Sequence, residues 1–302
     1  MFAGGWVDFV MGDVYAVLTA FCWSSAVIFF DISSKKFEAL QLNAIKNLIG
    51  VAGFIVTIIV FSIPIPKFSS DELTVLIISG FLGVTIADVF FLESLKRMGS
   101  SISALVATIY TPSIFIIAFI LFNETIALQS YLGGFIVISG IAITVYKVPK
   151  NITRKNLYIG ICLGILAQIF TAYSVLTVKP ILEEHPILYV ALYRFSVGLI
   201  GTIIICIIKY GFNDLIQNYN NGLRNYHLVL GSILGTYLSV ILWLAGFKYT
   251  LAGRAAIYNQ LSTVLIVIFA RLFLSESLNT RKIIGVLLAI FGALLVTMVD
   301  QT

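Results

Sequence analysis

The sequence predicts an all-α membrane protein: ten transmembrane helices arranged as two inverted five-helix repeats. Three observations predict it. First, 60% of the 302 residues are hydrophobic and only 11% charged, with a mean hydropathy of +1.04; a soluble domain of this length needs far more charge to cover its surface. Second, the charges gather between long apolar runs, ten of which reach the roughly 20 residues that cross a hydrocarbon core. Third, the chain nearly repeats itself. Residues 80–143, shifted by 152 positions, fall without a gap on residues 232–295, so that Gly83 meets Gly235, Lys96 meets Lys248, Thr111 meets Thr263 and Glu124 meets Glu276. A fixed offset on this scale marks the duplication and fusion of one structural unit. Five spans per unit is an odd number, so the second unit enters the membrane from the opposite side.

Residues 1–11 read as an N-terminal tail. Span 1 (12–31) is too long and too weakly flanked for a cleaved signal peptide, and closes on Ser33-Ser34-Lys35-Lys36. Spans 2 to 5 cover 39–62, 73–95, 99–122 and 128–146 and complete a first unit, 12–146. Residues 147–156 form a basic linker. The second unit, 157–299, holds spans at 157–179, 187–208, 226–247, 251–274 and 281–299. Most connections are a few residues long, which makes consecutive helices antiparallel neighbours. The longest, Gly211 to Asn225, is polar and expected to be an exposed loop. Upstream of residue 80 the repeat continues at an offset of 148, pairing Lys46 with Arg194 and Gly50 with Gly198, while spans 1 and 6 align only loosely. Cys22, Cys162 and Cys206 all lie inside apolar runs, with neither disulfide nor metal-ligand spacing.

The basic residues are distributed unevenly. Loops on the side of the termini carry Lys67, Lys179, Lys248 and Arg254, four in all, whereas twelve lie on the opposite side: Lys35, Lys36, Lys96, Arg97, Lys147, Lys150, Arg154, Lys155, Lys209, Arg224, Arg281 and Lys282. The positive-inside rule therefore places the termini outside. The pI near 9.0 belongs to these loops and gives no reason to expect nucleic acid as a partner.

Polar groups at membrane depth are expensive, so each is a functional candidate. Lys46 in span 2 and Asp88 in span 3 both lie about 10 Å below the side opposite the termini, at 1.5 Å per residue, which makes an ion pair plausible. Trp23, Ser24, Ser25 and Thr108 reach a similar level. Such a pair either locks two helices together or serves proton coupling or substrate binding. Arg194 is the inverted counterpart of Lys46, but Val240 stands where a second Asp88 would be, so Arg194 has no acidic partner at its depth. Tyr173, Trp243, Tyr258 and Asn259 are level with it. A guanidinium in that setting suits a carboxylate or other anion, or else hydrogen bonds to carbonyls and hydroxyls. Ala256, Asn259, Gln260 and Thr263 form one stripe of span 9 at helical spacing, mirrored by Ala104, Ala107, Thr108 and Thr111 of span 4. Such a stripe lines a cavity or packs helix on helix. Tyr110 and Tyr237 add aromatic candidates for a partly apolar ligand. Pro112 breaks the backbone ladder of span 4. Glu124 and Glu276, just before spans 5 and 10, read as structural acceptors of backbone N–H groups at those helix starts. Gly133, Gly140, Gly285 and Gly292 read as close helix-packing positions.

Several function classes find no support in the sequence. Only two histidines occur, His185 and His227, both near loop boundaries. There is no H-E-x-x-H motif, metal-ligand cluster or nucleotide-binding loop, and no ring of like charge or repeated filter that a channel would need. No cofactor is called for. A channel, or an enzyme without a recognisable motif, stays open as the alternative.

These residues resemble the drug/metabolite transporter superfamily, specifically its EamA-type ten-helix carriers. The resemblance rests on Thr111-Pro112 in mid-span 4 with its close at Asn123-Glu124, then Gln129, Gly133 and Gly140. It rests also on the recurrence Ser275-Glu276, Gly285 and Gly292, on Trp23-Ser24 in span 1, and on the early basic residues Lys46 and Arg194. It covers the chain from about residue 12. Two departures bear on substrate analogy: Val264 stands opposite Pro112, and no Trp occurs at the span-6 equivalent, around Gln168. The resemblance implies a multi-pass protein of the plasma membrane, monomer or homodimer. Its partners would be the lipid bilayer and a small organic solute such as an amino acid or other metabolite. It also implies secondary transport by alternating access at a central cavity between the repeats, with or without proton coupling, and termini in the cytoplasm, against the charge count.

Overall fold

A computed structural model describes residues 3–122, 128–145, 152–249 and 252–297, in which helices are joined by short turns and irregular segments, with no strand among them. The chain runs α1 (Ala3–Ser34), α2 (Ala39–Val60), α3 (Ser70–Met98), α4 (Ser100–Ala107 with Tyr110–Phe122) and α5 (Leu128–Val145). It continues through α6 (Arg154–Glu184), α7 (Ile187–Tyr210), α8 (Phe212–Leu223), α9 (Tyr226–Tyr249), α10 (Ala252–Phe273) and α11 (Thr280–Thr297). Among the described residues seven helices are long and apolar enough to cross a membrane, namely those at α1 to α4, α6, α7 and α9. Shorter apolar stretches, Leu132–Thr144 and Gln260–Phe273, lie within α5 and α10. Large apolar side chains such as Ile59, Phe61, Ile120, Phe135, Ile208 and Leu287 point outward and are more than half exposed. A surface so apolar belongs against lipid.

Local chemistry sets the helix ends. Ser69 and Glu72 close a capping box at the start of α3, Glu38 and Gln41 another at α2, and Thr153 and Asn225 accept backbone N–H groups at the starts of α6 and α9. Gly99, at φ 77°, turns the chain sharply from α3 into α4. In α4 the Pro112 ring cannot share space with the Thr108 carbonyl one turn earlier. That carbonyl instead accepts from Thr111 N at 3.3 Å, Thr108 N and Ile109 N make similar short-range bonds, and the helix divides at residues 108–109.

Several expectations need correcting. The segment 3–11, read as a tail, continues α1 as helix. The linker read at 147–156 is helical from Arg154. Span 6 does not stop before Pro180 but carries it inside α6 as far as Glu184. The loop expected at Gly211 to Asn225 is the amphipathic helix α8. Its Leu215, Tyr219 and Gly222, spaced by four and three residues, face the protein, and Tyr219 Oη donates to Ala44 O at 3.4 Å. Phe212, Ile216 and Leu223 stay exposed.

The packing repeats with the partners exchanged. α1 lies against α9 and α10, while α6 lies against α3 and α4; α2 packs on α7, and α5 on α11. In the close contacts Gly50 meets Thr236 and Gly198 meets Val84, while Gly140 faces the backbone of Gly285 and Gly292 that of Gly133. A π-helical segment interrupts α3 at Gly80–Ala87 and α9 at Ile233–Leu238, the same place under the offset of 152.

Candidate functional site

Arg194 lies two turns into α7 and is 2% exposed. α3 comes close enough to it because Gly80 carries no side chain: a Cβ there would fall 2.5 Å from Arg194 O. Two serines receive the guanidinium. Ser79 Oγ donates to Ser174 O at 2.8 Å and Ser174 Oγ to Ser79 O at 2.9 Å. This exchange of hydroxyl protons leaves both oxygens with lone pairs free. Arg194 Nε donates to Ser79 Oγ at 2.9 Å and Nη2 to Ser174 Oγ at 2.7 Å. Nη1 has no hydrogen-bond partner, and Arg194 Cζ stands 5.9 Å from the centre of the Trp243 ring. No acidic side chain pairs directly with Arg194 among the described residues.

Lys46 lies two turns into α2, 4% exposed, with its Nζ 2.5 Å from Asp88 Oδ2. It also donates to Asn47 Oδ1 at 3.1 Å and lies 5.9 Å from the Phe195 ring centre. Asp88 follows immediately on the π segment of α3. Asn43, one turn before Lys46, donates to Val84 O of that segment at 2.9 Å and to Thr202 Oγ1 of α7 at 3.1 Å. π-Helical turns recur at functional sites because they re-aim the residues that follow.

Between these two charged groups lies a cavity of about 170 Å³, an order of magnitude more than one water needs. Trp23, Lys46, Asp88, Tyr110, Arg194, Trp243, Gln260 and Thr263 line it, drawn from both members of the repeat. Thr111 stands behind Gln260, accepting its Nε2 hydrogen at 2.5 Å. Other candidates lie elsewhere. Thr108 is buried in the α4 break, donating to Leu105 O, and Ser25 donates back to Phe21 O. Tyr237 packs its ring on Gly53 and meets Thr57 Oγ1 at 2.5 Å, on α2 and off the cavity. Tyr173 and Tyr258 are half-buried and do not line it. The Asn259 side chain lies outside the description.

The cavity also holds residues that sequence reasoning missed: Thr19, Gln168, Thr171 and Ser239 line it, and Ser79 and Ser174 hold Arg194 from behind. One signal for Ser174 existed. At the offset of 148 it matches Ala26, and just as Ala26 fits against Gly235, Ser174 fits against Gly83.

Glu276 is structural in a different way from that expected. Asn279, not Glu276, accepts from Lys282 N at the start of α11, at 2.9 Å. Glu276 Oε1 reaches across to Ser100 N at 3.0 Å, capping α4, 176 residues away in sequence. Asp31 Oδ2 accepts from the same N–H at 3.1 Å and from Ser100 Oγ at 2.6 Å, and Lys282 Nζ lies 3.3 Å from Glu276 Oε2. Before its own helix the chain turns at Ser275 (φ 54°) and Glu276 N donates back to Ala270 O. The corresponding residue Glu124 lies outside the described residues.

Comparison with known proteins gives a consistent result. The EamA-like transporter family matches residues 10–146 and again 158–298. A protein of Archaeoglobus fulgidus described as an uncharacterized transporter is 22% identical over 282 residues, covering 93% of this chain and 95% of its own. An uncharacterized transporter of Synechocystis sp. is 22% identical over 233 residues, 76% of this chain and 66% of its own. A crystal structure 14% identical in sequence superposes with a TM-score of 0.67 over 96% of this chain and 97% of the other, a likeness of fold.

Proposed function

Since the chain belongs to the EamA-like transporter family and is an integral membrane transporter, we propose that it is a secondary carrier working by alternating access. Its ten spans would form two inverted five-helix repeats in the plasma membrane, and a small organic solute would bind in the cavity between them. The observation that carries this reading is the cavity itself, which is walled by residues from both members of the repeat. Inverted repeats place a substrate there because rocking one against the other opens the same site to each side in turn. The exchanged packing, the reciprocal glycine contacts and the matched π segments support two such units. In this reading Arg194 anchors the solute, and the Lys46–Asp88 pair flanks it from the other unit.

Flux in proteoliposomes tests the reading. A carrier saturates with solute concentration and shows counter-exchange, and Arg194→Gln abolishes both while leaving membrane abundance unchanged. Flux that rises linearly without exchange, or an Arg194→Gln variant with unaltered transport, contradicts it.

A further inference from the structure

The charge balance of the cavity points to a class of ligand. Among the described residues three ionised side chains face it: Lys46, Asp88 and Arg194. Lys46 and Asp88 cancel as a contact pair. Arg194, a guanidinium that carries a full positive charge, has the two serine hydroxyls as its hydrogen-bond acceptors and no contacting carboxylate among the described residues. The sum over the three groups is +1 − 1 + 1, a single uncompensated positive charge. Burying such a charge is unfavourable until a counter-charge joins it.

Resting on the carrier reading above, we propose that the cavity takes a small organic monoanion, a monocarboxylate with an apolar body, bound through Arg194. The serines take Nε and one hydrogen of Nη2, while Nη1 is buried without a hydrogen-bond partner, so the hydrogens of the edge shared by Nη1 and Nη2 lack an acceptor among the described residues. Two parallel N–H groups on one planar edge match the two oxygens of a carboxylate. The Trp243 ring centre lies 5.9 Å from Arg194 Cζ, within reach of a cation–π contact. Trp23, Phe91 and Phe195 offer the body of the ligand an aromatic wall, and the volume of about 170 Å³ keeps that body small. Of the possible charge classes, only the monoanion brings the sum to zero. A neutral solute or a zwitterionic amino acid leaves +1, and a dianion replaces it with −1.

Thermal unfolding of the purified full chain in detergent tests this separately from transport. The probes are benzoate and butyrate, their neutral amides, succinate and alanine. Benzoate or butyrate raises the midpoint saturably, whereas the amides, succinate and alanine at equal concentration do not. Arg194→Gln weakens the carboxylate effect about tenfold or more, the order expected for losing a hydrogen bond to a charged group. Arg194→Lys, which keeps the charge without the fork, weakens it less, and it alone decides if Arg194→Gln fails to fold. An amide or alanine that stabilises as well as a carboxylate overturns the proposal, as does the absence of any carboxylate effect or an effect unchanged in both variants. Carboxylate binding without flux in liposomes sinks the carrier reading and leaves the ligand class standing. Saturable exchange confined to neutral or zwitterionic solutes does the reverse.

Discussion

Asp88→Asn leaves the Lys46 ammonium buried without a counter-charge, beside Asn47 Oδ1, the Phe195 ring and the neutral amide at position 88. Breaking one side of a buried pair costs about 3–5 kcal/mol, and since the Asp88 side chain is 23% exposed, the lower end of that range is expected. The double variant Lys46→Met/Asp88→Leu removes a pair of zero net charge, so it recovers most of the lost stability and, because the cavity stays at +1, keeps saturable flux. Midpoints of thermal unfolding and proteoliposome flux check both statements. A double variant as unstable as Asp88→Asn, or one without flux, would give the pair a role beyond locking α2 to α3. At this scale the Lys46–Asp88 contact was legible in the sequence, because residues counted from a span end convert directly to ångströms along a helix. Azimuth was less legible. Tyr237 falls inside the second π segment, where the i→i+5 bonding shifts the phase that a 3.6-residue period assumes, and it turns onto α2 instead of the cavity. Ser79 was missed because a lone serine in an apolar run carries no mark of the partner opposite.

α5 and α11 meet through glycines, with a Cβ on Gly140 falling 2.6 Å from Gly285 O and 3.1 Å from Ala289 N. Backbone cannot step aside as a side-chain tip can, so Gly140→Ala forces the two helices apart, at the roughly 1–3 kcal/mol of an overpacked core. Gly134, on the same helix, has among the described residues one neighbour within 4 Å of an added Cβ, the Pro112 Cβ at 3.8 Å. Gly134→Ala is therefore expected to be neutral or slightly stabilising, through the better helix propensity of alanine. A fall in the unfolding midpoint of similar size in both variants would contradict this account of the α5–α11 contact. The glycine stripes were legible as packing sites from their recurrence alone. The π segments and the helical nature of α8 were not. An i→i+5 turn has no composition of its own, and the asparagines of α8 favour loops until Leu215, Tyr219 and Gly222 find a surface to pack against.

At the scale of the molecule, the 152-residue repeat was the most legible feature, and the packing follows it with the partners exchanged: α1 on α9 and α10, α6 on α3 and α4. The differences between the two units are as informative as the matches. Asp88 pairs directly with Lys46, and no acidic side chain among the described residues pairs directly with Arg194, so a site built from duplicated walls carries an unsymmetrical charge. The central claim is that this one site is reached alternately from the two sides of the membrane. Thr171, on the cavity wall, offers a reporter once the native Cys22, Cys162 and Cys206 are replaced. A membrane-impermeant thiol reagent applied to one side at a time is predicted to modify Thr171→Cys from both sides, more slowly when a bound monocarboxylate shields it. Modification from one side only, whatever solute is present, would contradict alternating access.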